Sequence, residues 1–226
     1  MNRPQNYTLY LRYIEFQESC PFILDHVRTE FNDYFVLRER FHVLLNHFFY
    51  KWLRGISVNL KRVQQKWAEL TVDYRTSYIA HRFRDQLPNV IALLERNLDV
   101  KCIANPVNMD IDGVRICGNL DIVTRHDDVY DVYFLVTDDA NQEYVRRVIP
   151  GLVGMAFYYD FHELKFNVIV HNIATNQQYI VRDAGLSIGS LFNRSKRLLE
   201  KNYQCGSCLL KNRCVHESNN NDQSHV

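Results

Sequence analysis

The chain has 226 residues, 46% of them hydrophobic and 13% aromatic, enough apolar side chain to close one sizeable core within a single domain. Its 27 Lys and Arg oppose 26 Asp and Glu for a net charge of +1, which excludes a general electrostatic pull on nucleic acid and leaves that task to local basic patches. The first residues lack a signal core, and nowhere do about 18 apolar residues run together as a membrane span requires, so the expectation is a soluble cytoplasmic or otherwise intracellular protein with no membrane partner.

In residues 7–54, Phe31, Tyr34, Phe35, Arg38, Phe41, Leu44, Leu45 and Phe48 recur at helical spacing, which predicts one or two long amphipathic helices. A second helical stretch covers 57–97, where Val58, Val63, Trp67, Leu70, Tyr74, Ile79, Phe83, Ile91 and Leu94 form a stripe interrupted near Pro88. From Val100 the texture turns to β-type runs at Val114–Val123, Val129–Thr137, Phe166–Ile173 and Gln178–Arg182, with turn signals such as Asp112-Gly113 between the early ones. Between the second and third runs, Gln142–Asp160 carries Val145, Val148, Leu152, Met155, Ala156 and Tyr159 at the spacing of a helix packed on a sheet. The order β-β-α-β-β implies an α/β fold whose mixed sheet carries a helix on one face. A last helix, Ser187–Glu200, leads into a cysteine cluster, and polar residues 217–226 are expected as a disordered tail. With no repeat or linker in view, residues 1–216 read as one domain: a mainly helical part at 1–99, a sheet core at 100–186, and a helix with cysteines at 187–216.

Three of the six cysteines, Cys205, Cys208 and Cys214, fall within ten residues. A domain of this size has no need of disulfide staples, so metal ligation explains the crowding better. Thiolates two residues apart turn toward one centre, and a third folds back onto it, leaving tetrahedral coordination one ligand short. Cys20, Cys102, Cys117 and His216 are the candidates for the fourth place. Cys20 stands on a turn before Pro21, and joining it to Cys205 clips the chain ends together at an entropy cost that grows only slowly with loop length. Zinc on Cys205, Cys208, Cys214 and His216, or zinc or iron on an all-cysteine set, both satisfy this chemistry. Cys102 and Cys117 lie in or beside strands, where a lone Cys is more often a small core residue.

The early Cys-Pro, the central α/β region and the terminal Cys-x2-Cys-x5-Cys together resemble the iron–sulfur branch of the PD-(D/E)XK nuclease superfamily, which includes RecB-like, AddB-like and CRISPR-associated exonucleases. The resemblance spans roughly 15–216 and implies a restriction-endonuclease-like mixed sheet flanked by helices. It also implies a [4Fe-4S] cluster on Cys20, Cys205, Cys208 and Cys214. The family's Gly-x-x-x-His motif resembles Ser77-Tyr-Ile-Ala-His81, and its Gly-x-x-Asp motif resembles Gly118-Asn-Leu-Asp121. By that resemblance His81 and Asp121 would hold a catalytic Mg²⁺ or Mn²⁺. The following (Asp/Glu)-x-Lys-Thr, however, aligns with Phe134-Leu-Val136-Thr137, and neither Phe nor Val can complete a metal site or activate water. The Gln-x-x-x-Tyr helix motif is eroded too, with Gly154 for Gln and Tyr158 kept.

Without the resemblance, His81 is a surface or half-buried histidine and Asp121 the polar face of an edge strand. Asp138 and Asp139 either form a turn or supply a migrated carboxylate. Basic residues interleave with aromatics at Lys51-Trp-Leu-Arg54, Lys61-Arg62, Arg82-Phe-Arg84, Arg146-Arg147 and Arg194–Lys201. Each alone reads as a solvated helix face; together on one face they would neutralise phosphates. The resulting expectation is a pseudonuclease that binds DNA or a protein of a nucleic-acid complex. Its rivals are a divergent metal-dependent exonuclease and a metal-clipped protein-interaction module.

Overall fold

The computed structural model describes residues 7–11, 33–96, 99–137 and 142–201; the tail expected at 217–226 lies outside them. The first described element is a strand, β1 (Tyr7–Tyr10), where the sequence suggested helix. Helix α1 (Asp33–Leu53) buries Leu37, Phe41, Leu44, Leu45, Phe48 and Phe49, spaced by three, four and one as one helical face requires. Helix α2 (Leu60–Leu70) starts at Asn59, whose Oδ1 accepts the Arg62 N–H at 3.0 Å, a side-chain cap for an otherwise unpaired donor. A 3₁₀ turn (Val72–Tyr74), α3 (Tyr78–Arg84) and α4 (Leu87–Leu94) follow. Pro88 lies in the first turn of α4, so it opens a helix instead of interrupting one, since its missing N–H has no partner to lose there. The indole Nε1 of Trp67 donates to the Ala80 carbonyl at 3.0 Å, and Phe41 meets the rings of Trp67 and Phe83 at 5.6 and 5.1 Å; these contacts lock α1, α2 and α3 into one helical layer.

The sheet contains β2 (Val100–Ile111), β3 (Val114–His126), β4 (Val129–Val136), β5 (Phe166–Asn172) and β6 (Gln177–Val181), besides β1. Pairs β2–β3, β3–β4 and β5–β6 are antiparallel, whereas β1–β3 and β4–β5 are parallel. The parallel β4–β5 pair needs a crossover. It is supplied by α5 (Gln142–Arg147) and α6 (Ile149–Phe161). The single helix expected over this stretch is therefore two, because Pro150 sits in the first turn of α6 and starts a new helix. Helix α7 (Ile188–Lys201) ends the described chain.

Both faces of the sheet are covered, so residues 132–136 of β4 read as an unbroken apolar run. Val132, Phe134 and Val136 join one core with Leu152, Val153, Ala156 and Phe157 of α6 and Phe192 of α7. Tyr133 and Leu135 join a second core with α1 to α4. The result is a mixed α/β fold with helices on both faces.

Candidate functional site

Strand β3 has two edges. One is lined by β2, paired to it from Val114 to Thr124. The other is shared: β1 pairs with Val114–Cys117 and β4 with Ile122–His126. Residues Gly118–Asp121 therefore occupy a fork between β1 and β4, outside both ladders. Asp121 is thus on a central strand, in place of the edge strand that its alternation with apolar neighbours suggested.

The two ends of the fork demand particular residues. Gly118 has φ +146°, and a Cβ there would stand 3.0 Å from Leu11 Cβ and 3.4 Å from Leu11 N, so only glycine lets the chain leaving β1 cross so closely. At the other end, Asp121 Oδ2 accepts the Leu135 N–H at 2.7 Å, where the β3–β4 ladder has stopped at Ile122–Tyr133. A carboxylate thus satisfies a backbone donor that has run out of strand, and a charged acceptor makes that a strong bond. Across β3, Ala104 faces Asp121 between the Ile103–Ile122 and Asn105–Leu120 pairs with φ +50°. Both strands change phase here: Leu120 and Val123, three residues apart, share one core while Ile122 lies in the other. Such irregularities re-aim side chains and gather beside functional sites.

The positions that align with the resembled family's carboxylate, lysine and glutamine are filled by packing. Phe134 is 3% and Val136 0% exposed, within the core under α6. A Cβ on Gly154 would lie 2.8 Å from Ile188 Cδ1 and 3.3 Å from Phe166 Cε2, so the place where the resembled family has glutamine has no room for one. Tyr158 is half-buried against the same core.

His81 is exposed on α3, its Nε2 3.1 Å from the Arg75 carbonyl, which accepts from that ring N–H. It lines a surface groove of about 600 Å³ with Trp67, Tyr74, Arg75 and Arg84, and Asp121 is not among that groove's residues. Among the described residues, no group of three or more His, Cys, Asp or Glu is arranged to hold a metal ion.

Cys102 and Cys117 are half-buried in β2 and β3. Burial, reinforced by the Asp160 carboxylate, pushes the Cys102 thiol up to about 11, which disfavours the thiolate that a ligand must be. Cys117 Sγ lies 3.5 Å from Asn108 Oδ1 across the β2–β3 pair. Cys20, Cys205, Cys208, Cys214 and His216, with Asp138 and Asp139, lie outside the described residues.

No family model matches the chain, and no curated protein matches it. Among solved structures it is similar to the crystal structure of SSO0001, with a TM-score of 0.40 and 12% identity over 96% of this chain and 89% of that one. At that score the likeness carries no argument. Among the described residues no helix is long and apolar enough to cross a membrane.

The sequence missed Leu11 and Ala104 as parts of the site. Gly118 was the one signal: a glycine inside an apolar strand marks a close backbone approach, but not the partner that makes it.

Proposed function

We propose that the protein is a catalytically degenerate PD-(D/E)XK nuclease-like protein that binds DNA, or a partner within a nucleic-acid-processing complex, without cutting. The observation carrying this reading is the unequal fate of the motif positions. Gly118 and Asp121 occupy an irregular fork in a central strand, while Phe134, Val136 and Gly154 are consumed by the core beneath α6. A site that needs a second carboxylate and a lysine has neither at those positions. A structural [4Fe-4S] cluster on Cys20, Cys205, Cys208 and Cys214 belongs to the same reading and rests on the cysteine spacing together with the family resemblance, with zinc as the competing metal.

The test is anaerobic purification followed by metal analysis and a nuclease assay. The expected result is brown protein with about four irons per chain and no DNA cleavage with Mg²⁺ or Mn²⁺. Cleavage that disappears in Asp121→Ala would overturn the degenerate reading, and colourless protein with a single zinc would overturn the cluster.

A further inference from the structure

Two basic segments that the sequence leaves apart, the end of α1 and the start of α2, converge in the folded chain. The link between them turns at Gly55, where φ is +72° and the Ile56 N–H donates to the Lys51 carbonyl at 3.0 Å, the left-handed close of a helix C-terminus. Doubling back brings α2 alongside α1. On α2, Val63 and Trp67 are buried, which leaves Arg62, Gln65, Lys66 and Glu69 on the outer face at spacings of three and four. With His47 and Lys51 of α1, these residues line a polar cleft of about 260 Å³.

The charges in this cleft are unbalanced. Lys51, Arg62 and Lys66 enter it against a single lining carboxylate, Glu69, which is bonded to Lys66 at 2.8 Å. Phe48 sets the cations in place: the Lys51 ammonium lies 5.5 Å from its ring centroid and the His47 ring meets it edge-on at 5.1 Å. His47 is held below the ordinary histidine range first by burial and then by the neighbouring charges of Lys51 and Lys66. The cleft also continues. It shares Gln65 and Glu69 with the groove between α2 and α3, whose rim carries Arg75, His81 and Arg84. A protein of net charge +1 thus concentrates cations from three helices along one concave track.

We propose that the α1–α2 cleft binds the phosphodiester backbone of a nucleic-acid strand, with Lys51, Arg62 and Lys66 on successive phosphates and the strand continuing over α2 toward Arg75 and Arg84. The occupant follows from charge complementarity and from the length of the track, since cations spaced along a groove fit a repeating anion better than a single one. The inference deepens the nucleic-acid reading above and rests on it.

Fluorescence anisotropy of a labelled single strand of about 20 nucleotides, titrated with the full chain from about 50 to about 200 mM salt, tests it. Lys51→Glu/Arg62→Glu/Lys66→Glu is expected to weaken binding at least about tenfold and to flatten the log–log salt slope by about 2, three contacts fewer on a single strand. Lys165→Glu/Arg182→Glu/Arg194→Glu changes net charge equally at positions away from the cleft and is expected to lose far less. Circular dichroism checks folding, and the corresponding Gln variants replace the Glu set if it unfolds. Equal losses in the two triple variants, or none in the first, overturn the cleft while leaving nucleic-acid binding intact. A wild-type chain that does not bind the oligonucleotide at all overturns both. Displacement of the strand by polyglutamate of matched charge points to an acidic protein partner and overturns the phosphodiester assignment.

Discussion

The two faces of the sheet are sealed by different chemistry. Under α6 and α7 the core includes Phe134 and Val136, where the resembled nucleases carry a carboxylate and a lysine, and its fully buried Ser195 hydroxyl is satisfied by donating to the Val148 carbonyl at 2.8 Å. Under α1 to α4 the core is equally buried but polar groups interrupt it. His171 is fully buried with no partner on Nε2, and Gln86 Oε1 and Thr137 Oγ1 are likewise buried and unpaired among the described residues. The difference teaches that the α6 face is specified by packing, while the helical-layer face retains unpaired polar atoms that lower stability. Each prediction below attacks one side of that contrast.

The largest effect is expected from placing the resembled family's charged pair in the core under α6. Phe134→Glu with Val136→Lys places two charges where side chains are at most 3% exposed, and the cost is about 5 kcal/mol or more, comparable with the whole stability of many domains. Urea denaturation is expected to find the variant largely unfolded and inert. A stable variant that cleaves DNA with Mg²⁺ would show instead that the α6 face is an intact site lacking only its ligands.

The opposite face should answer to pH. Gln178 Nε2 lies 2.9 Å from His171 Nδ1, an amide donor that keeps the ring proton on the unpaired Nε2. Burial, then the Arg96 charge, pulls His171 down to about 4. Above pH 6.5 the ring is neutral folded or unfolded and costs nothing further. Between 6.5 and 4 only the unfolded chain takes up the proton, so stability falls as pH drops, by at most about 3 kcal/mol from this residue. The melting temperature of wild type should therefore drop more between pH 7 and 4.5 than that of His171→Gln. Parallel pH curves would mean the ring is solvated and the faces are more alike than described.

Gly118 tests the fork itself. Adding a methyl at φ +146°, 3.0 Å from Leu11 Cβ, combines backbone strain with overpacking, and about 2 kcal/mol is expected for Gly118→Ala. Hydrogen exchange of β1 amides should quicken in step, because Leu11 directly follows that strand.

How much of this could be read from the chain depended on whether a feature is local. Strands β4, β5 and β6 announced themselves because burial on both faces or alternation along one leaves a mark in a few neighbouring residues. Strand β2 did not, since Asn105, Pro106, Asn108 and Asp110 break the pattern; among the described residues β2 pairs only with β3, and a strand at such an edge tolerates these residues. Strand β1 was hidden inside a helical texture, because its strand partner among the described residues, β3, is about a hundred residues away. Gly118 and Asp121 were legible as a match to the resembled motif, and Phe134 and Val136 as a departure from it. The reason Gly154 cannot be glutamine was not, because it lies in Ile188 and Phe166 on other elements.

The smallest effect is expected at the residue that joins the motif to the sheet. Asp121 Oδ2 accepts the Leu135 N–H at 2.7 Å. Asp121→Asn keeps an oxygen acceptor in nearly the same shape but removes its charge, a change worth about 1 kcal/mol or less. Asp121→Ala leaves the Leu135 donor without its carboxylate inside a half-buried strand and should cost more, about 1–3 kcal/mol. A purely structural aspartate predicts that ordering, Ala worse than Asn, with no change when divalent cations are added. If Mg²⁺ or Mn²⁺ raises the melting temperature of wild type and not of Asp121→Asn, the carboxylate is a cation ligand as well as a strand cap. The fork would then be a cation site as well as a structural junction.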